Sequence, residues 1–251
     1  MPSFSQLLVA SISTPFLFGG LALGLPTTTT SSSSAAVAPR DSTPASVTCP
    51  ASGRGKEYAR ALYRLLPGSP DVALPPTLDL HVQYHNYTGL TIQQAVVFGP
   101  FPAGARNCAF GWAQEDVDRG AVFVAAGSGL LTVHQLSGFP IGAPLSVAEA
   151  EAGGEEEEAQ AAAAASGVSY AAVQPFVENA RLATHPDFTS WDREANGTTH
   201  TSGPGSIECS GAAGEHVYVL IQLEPPTTGN VYLERSGEAG IFVEYNCEPE
   251  A

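Results

Sequence analysis

The chain of 251 residues is short of positive charge: Lys and Arg together number 10 against 25 Asp and Glu, a formal net charge of −15. A surface of that sign repels phosphate backbones and anionic membranes, so nucleic acid is not an expected partner. Long apolar runs are missing as well. Beyond residue 25 no segment approaches the roughly 18 apolar residues needed to cross a bilayer, and no membrane span is expected once the leader described below is removed. The GxSxG elbow of an α/β hydrolase is also lacking; its nearest matches, Gly127-Ser128-Gly129 and Gly205-Ser206, read as turns. Cysteine is scarce and scattered. Among Cys49, Cys108, Cys209 and Cys247 no two are close enough for a CxxC half-site, so neither a thiolate metal site nor any cofactor is expected.

What the sequence does contain starts with an apolar run from Leu7 to Leu25, broken by Ser11, Ser13, Thr14, Pro15 and a Gly19-Gly20 pair. That is a poor membrane span but an adequate leader, and Ala22-Leu23-Gly24 supplies small residues for cleavage before Leu25. Residues 1–24 are therefore expected to be a secretory signal peptide. Residues 25–48 carry PTTTTSSSSAAVAPR, which has no large apolar side chain to offset its ordering entropy and is expected to be a disordered stalk. An even number of cysteines in an exported chain implies disulfides, and four cysteines admit three connectivities. Two sequons, at Asn86 and Asn196, fall in segments that read as turns and are the expected N-glycosylation sites.

From Gly55 to Leu66 the apolar residues Tyr58, Ala61, Leu62, Leu65 and Leu66 recur at helical spacing, with Lys56, Arg60 and Arg64 on the other side. This predicts a helix, ended by Pro67-Gly68. The period then changes to two. Alternation over Leu78–Tyr84, a turn at Asn86–Gly89 and further runs at Thr91–Phe98, Cys108–Trp112, Ala121–Ala126 and Leu131–Leu136 predict strands, the last two joined as a pair through Gly127-Ser128-Gly129. Strands resume at His216–Leu223, Val231–Glu234 and Ile241–Tyr245. Residues 148–165, rich in Ala and Glu and without an apolar stripe, read as a disordered acidic insertion. Short strands between Gly- and Pro-rich turns predict a mainly β fold: an antiparallel β-sandwich with one short peripheral helix, spanning 49–251.

Few residues suggest chemistry. His81 and His85 on one strand face the same way but lie about 13 Å apart, too far for one ion. Glu115, Asp116 and Asp118 form the densest carboxylate cluster within the predicted fold, as a turn or, in a carbohydrate-active module, as a pair flanking a cleft. Trp191 sits in a polar stretch beside a sequon and is the candidate platform for a sugar or a partner side chain, with core packing as the alternative. No residue is assigned catalysis.

Four pieces of the chain, Phe98-Gly99-Pro100-Phe101-Pro102 with Gly104, Cys108-Ala109-Phe110, Ile207-Glu208-Cys209 and Gly240-Ile241-Phe242-Val243-Glu244-Tyr245-Asn246, resemble a fungal secreted family, the C-terminal domain named after the ubiquitin 3 binding protein But. The resemblance implies an extracellular or wall-associated β-sandwich with no established catalytic residues, and it implies Cys108 and Cys209 as a structural pair. Cys108 shares a strand face with Phe110 and Trp112, and Cys209 follows Ile207 at the same spacing. On that premise Cys49 is left for Cys247, where it would fasten the predicted helix to the last strand. The expected function is that of a secreted non-enzymatic domain acting on a protein or a glycan at a cell surface, cell wall or host interface. The alternative is a carbohydrate-active or carbohydrate-binding module.

Overall fold

The computed structural model describes residues 47–115, 122–147, 167–193 and 197–247. The expected leader, residues 25–46 of the expected stalk, the acidic insertion 148–165, Asp116, Asp118 and Asn196 lie outside them.

Two antiparallel sheets carry the fold. The smaller has the order β1 (Arg54–Tyr58), β12 (Gly240–Cys247), β5 (Ala105–Gln114), β9 (Thr198–Thr201). The larger runs β6 (Phe123–Gly127), β11 (Gly229–Leu233), β3 (Leu80–Tyr84), β4 (Thr91–Phe101), β10 (Glu215–Leu223), β7 (Leu131–Gln135), β8 (Arg181–Thr184), and β2 (Ala61–Leu65) pairs with β4 beyond the end of β3. Alternating side chains of both sheets meet in one core. Phe110 and Trp112 of β5 and Ile241, Val243 and Tyr245 of β12 pack with Val96 and Phe98 of β4 and Val217, Val219 and Ile221 of β10. The mainly β sandwich expected from the turn spacing is the observed architecture.

The larger sheet is covered on its other face too. Ala95, Val97 and Leu220 point away from the sandwich into a second cluster with Tyr63, Leu136, Phe139 and Val173. Val173 belongs to α1 (Tyr170–Val177), whose start is capped by Ser169, the hydroxyl accepting from the Ala172 N–H at 3.3 Å. Burial on both faces explains why Ala95-Val96-Val97-Phe98 reads as a continuous apolar run rather than an alternation.

The helix expected over 55–66 is not formed: the segment makes β1 and β2, which belong to different sheets. The reason is again two-sided burial. Leu62 enters the sandwich core while Ala61, Tyr63 and Leu65 enter the outer cluster, so the apolar residues of β2 break the period of two and imitate helical spacing. Nor do the three basic residues form a stripe. Lys56 of β1 lies over the Phe242 ring at 4.2 Å, Arg60 crosses between the sheets and donates to the Gly99 carbonyl at 3.4 Å, and Arg64 sits on β2. Also corrected is the pairing of the two strands flanking Gly127-Ser128-Gly129: β6 pairs with β11, and β7 with β10 and β8. Gly129 instead admits the close approach of another loop, since a Cβ there would lie 2.3 Å from the Thr189 nitrogen.

Both disulfides are formed, Cys49–Cys247 and Cys108–Cys209, each with Cα atoms 6.0 Å apart. Cys108 is fully buried in the core. The first bond closes the foot of β1 onto the end of β12, where the Cys247 N–H also donates to the Gly53 carbonyl at 2.9 Å. Among the described residues no helix is long and apolar enough to cross a membrane.

Candidate functional site

At the edge of the sandwich where β9 ends the smaller sheet and β8 ends the larger, a cleft of about 210 Å³ opens between them. Its floor is the core itself. Trp112, directly opposite His200 in the β5–β9 ladder, stacks on the imidazole with centroids 4.2 Å apart and planes at 24°, and on Phe188 at 4.6 Å and 29°. Trp191 closes one side, edge-on to Trp112 at 5.7 Å and tilted against His200 at 4.0 Å. Thr184, Thr201 and Ser202 add hydroxyls to the lining, and His185, Pro186 and Asp187 form the opposite rim. Strand β5 can bring these rings together because Gly111 leaves room for its neighbours. A Cβ there would lie 2.4 Å from the Phe242 ring and 2.7 Å from the His200 carbonyl.

The loop that carries the rim is pinned by its backbone. Pro186 accepts from the Leu131 N–H at 2.9 Å, the Phe188 N–H donates to Gly129 at 2.8 Å, and the Gly129 N–H donates to the Thr189 hydroxyl at 2.9 Å. Asp187 accepts from the Thr189 N–H at 2.8 Å. Trp191 opens a 3₁₀ turn, Trp191–Arg193, in which Asp192 accepts from the Ala125 N–H of edge strand β6 at 3.2 Å. The tryptophan is thus placed by contacts on both sides of it, which is the preorganisation a binding surface requires.

Electrostatically the cleft is poor in cation. Burial holds the His200 imidazole below its ordinary range, and its Nε2 lies 3.2 Å from the Thr198 hydroxyl. His185 faces Glu224 at 3.7 Å. Arg181, the nearest basic residue of β8, pairs with Glu208 at 3.1 Å and donates to Gln135 and to the Ser206 carbonyl. No Lys or Arg is among the described lining residues.

Of the residues singled out in the sequence, Trp191 is in this cleft, half-buried and packed against the core at the same time. Glu115 lies elsewhere. Its carboxylate accepts from the Glu238 N–H at 2.8 Å and fastens the turn between β11 and β12, so it has no place in the lining. Asn86 is exposed on the β3–β4 turn, its carbonyl oxygen accepting from the Thr228 hydroxyl at 2.8 Å. His85 caps the same turn by accepting from the Thr88 N–H at 3.2 Å, while His81 packs edge-on against Tyr232. Among the described residues no group of three His, Cys, Asp or Glu side chains is arranged around a common ion. Sequence reading missed His200, Asp187 and the role of Trp112 as floor. The alternating Thr-Thr-His-Thr of β9 is a strand signal that could have found the first of them.

Compared with protein-family models, with curated proteins and with solved structures, the chain has no match.

Titration of the half-buried imidazoles gives a stability prediction. His81, His134 and His200 are all held below 6.5, chiefly by burial, with Arg64 adding to the effect on His81 and His185 on His134. The folded chain binds these protons less readily than the unfolded chain. Their contribution is therefore complete above pH 6.5 and lost as pH falls below it. Glu57 works the other way: burial outweighs Arg60 and raises its pKa above 4.5, so it favours the folded state at the acid end of the range. The melting temperature should fall as pH drops from about 6.5 to 5.5, and protonation of Glu57 opposes that fall at the acid end of the range. A thermal scan at constant ionic strength checks this, and a melting temperature rising over that interval would contradict it.

Proposed function

We propose that this chain is a secreted, non-enzymatic β-sandwich domain that binds a glycan at a cell surface, cell wall or host interface through the Trp191–His200 cleft. The observation that carries this reading is the cleft itself: a preorganised aromatic wall over a buried floor, with hydroxyls around it. Apolar ring faces receive the C–H face of a sugar, and a few placed polar groups orient it. Binding is favoured over hydrolysis because the described lining holds one carboxylate, Asp187, already engaged with a backbone N–H, whereas glycoside hydrolysis uses two that flank the bond. The two disulfides, the leader and the exposed sequon at Asn86 support an extracellular setting. The resemblance to the But C-terminal domain points the same way.

The test is a glycan array probed with the full secreted chain, followed by titration of the best binder. Replacing Trp191 by alanine should weaken binding about tenfold, the equivalent of roughly 1.4 kcal/mol of stacking. Because Trp191 is half-buried at the rim, the variant should stay folded. Unchanged affinity in a folded Trp191→Ala protein would remove the cleft from the function.

A further inference from the structure

We infer that the sugar this cleft selects carries a free amine, with Asp187 as the partner of its ammonium; the inference rests on the glycan reading above and adds to it the class of ligand. Three observations converge on it. First, the charge at the rim is anionic and fixed. One Asp187 oxygen is committed to the Thr189 N–H at 2.8 Å, and the residue is held from both sides by the hydrogen bonds of Pro186 and Phe188 to the β7 approach. The carboxylate therefore bears on the cleft without first having to be ordered.

Second, no Lys or Arg among the described lining residues pairs with it. Arg181 is bound to Glu208, Gln135 and Ser206; His185 is turned to Glu224; and burial holds the His200 imidazole below its ordinary range. The chain as a whole carries −15, so acidic sugars meet repulsion before they arrive and cationic ones are drawn in. Third, the wall opposite is aromatic. Trp112 is covered by its stacked neighbours, but Trp191, half-buried at the rim, offers an electron-rich surface, which attracts an ammonium as well as a C–H surface. At about 210 Å³ the cleft is smaller than the roughly 300–1,000 Å³ of drug-sized ligand pockets, which suits one sugar ring with its substituents rather than several. The unit recognised is thus a single hexosamine, terminal or within a chain that continues into solvent.

The experiment compares affinities of the full chain for oligomers of glucosamine, N-acetylglucosamine, glucose and galacturonic acid, by titration calorimetry at low and at high salt. Glucosamine oligomers should bind about fivefold to tenfold tighter than the acetylated or neutral ones at low salt. That ratio should shrink as salt screens the exposed carboxylate. Asp187→Asn keeps an oxygen for the Thr189 N–H and should fold normally, with the ratio reduced to about one. Equal binding of neutral and amine-bearing oligomers, or an unchanged ratio in Asp187→Asn, would overturn this inference while leaving glycan binding intact. Failure of every saccharide would overturn both. An oligolysine peptide run alongside should bind more weakly than the glucosamine oligomer; tighter binding would assign the cleft to basic side chains of a protein and overturn the sugar class.

Discussion

Replacing Trp112 by alanine is expected to cost about 3–5 kcal/mol of stability, the range for removing a large aromatic side chain from a core. The position is only 3% exposed, and its indole contacts Phe188, Phe123, Trp191 and His200 at centroid distances from 4.2 to 5.8 Å. Two of those contacts are stacked, so little can slide into the vacated space without breaking another. In a domain of this size each kcal/mol lowers the melting temperature by roughly 2–4 °C, which places the expected drop near 10 °C. Ligand binding should fall with it, since Trp191 and His200 lose the surface they lean on. Trp112→Phe separates the effects: it keeps a stacked ring, should recover more than half of the stability, and leaves a gap beneath the proposed sugar site. A loss of less than about 1 kcal/mol in Trp112→Ala, measured by urea unfolding, would show that this ring is not the keystone of the edge.

The sandwich was legible in the sequence wherever one face of a strand meets the core and the other meets solvent. Leu80 and Val82 alternate with half-exposed His81 and Gln83, and the strand was read in nearly its true place. Reading failed where that premise fails. Strand β2 is buried on both sides, β1 is a short edge with only partial burial, and together they produced the spacing of an amphipathic helix. The real helix, α1, has one fully buried residue, Val173, and contains Pro175, so its own periodicity is faint and its signature is the Ser169 cap.

The site was legible in part for a related reason. Trp191 stands in a polar stretch beside a sequon, which makes it a platform candidate, and the sequence leaves open whether it serves core or ligand. The structure gives it both positions at once, rim of the cleft and cover of the core. What sequence could not supply was the neighbour. His200 meets Trp112 only through antiparallel pairing of β5 with β9, nearly 90 residues apart, and Asp187 reaches the same cleft from a third strand's loop. Long-range pairing of that kind leaves no local pattern. Glu115 shows the converse: a dense carboxylate cluster is conspicuous in a sequence, yet the member within the described residues has the plain duty of fastening a turn.

The two disulfides should differ in what they hold, and the difference reverses the order that loop length alone would give. In the chain-entropy account, a loop of about 100 residues is worth roughly 4.7 kcal/mol, and each doubling adds only about 0.6. The separations are 101 for Cys108–Cys209 and 198 for Cys49–Cys247, so entropy slightly favours the second. Packing decides against it. Cys108 is fully buried between Phe110 and the β10 side of the core, so its removal takes contacts as well as a cross-link. Cys49 and Cys247 are only partly buried and lie at the foot of β1, an edge strand that can fray while the rest of the sandwich stays closed. What the outer bond secures is thus a strand, not the helix expected from the sequence. The double variant Cys108→Ala, Cys209→Ala should therefore lower the urea midpoint more than Cys49→Ala, Cys247→Ala. The second variant should show fast amide exchange confined to residues 54–58 and to the facing edge of β12. A larger midpoint loss from the Cys49–Cys247 pair, or exchange spreading evenly through β4 and β10, would mean that the fold depends on its termini rather than on the Cys108 core.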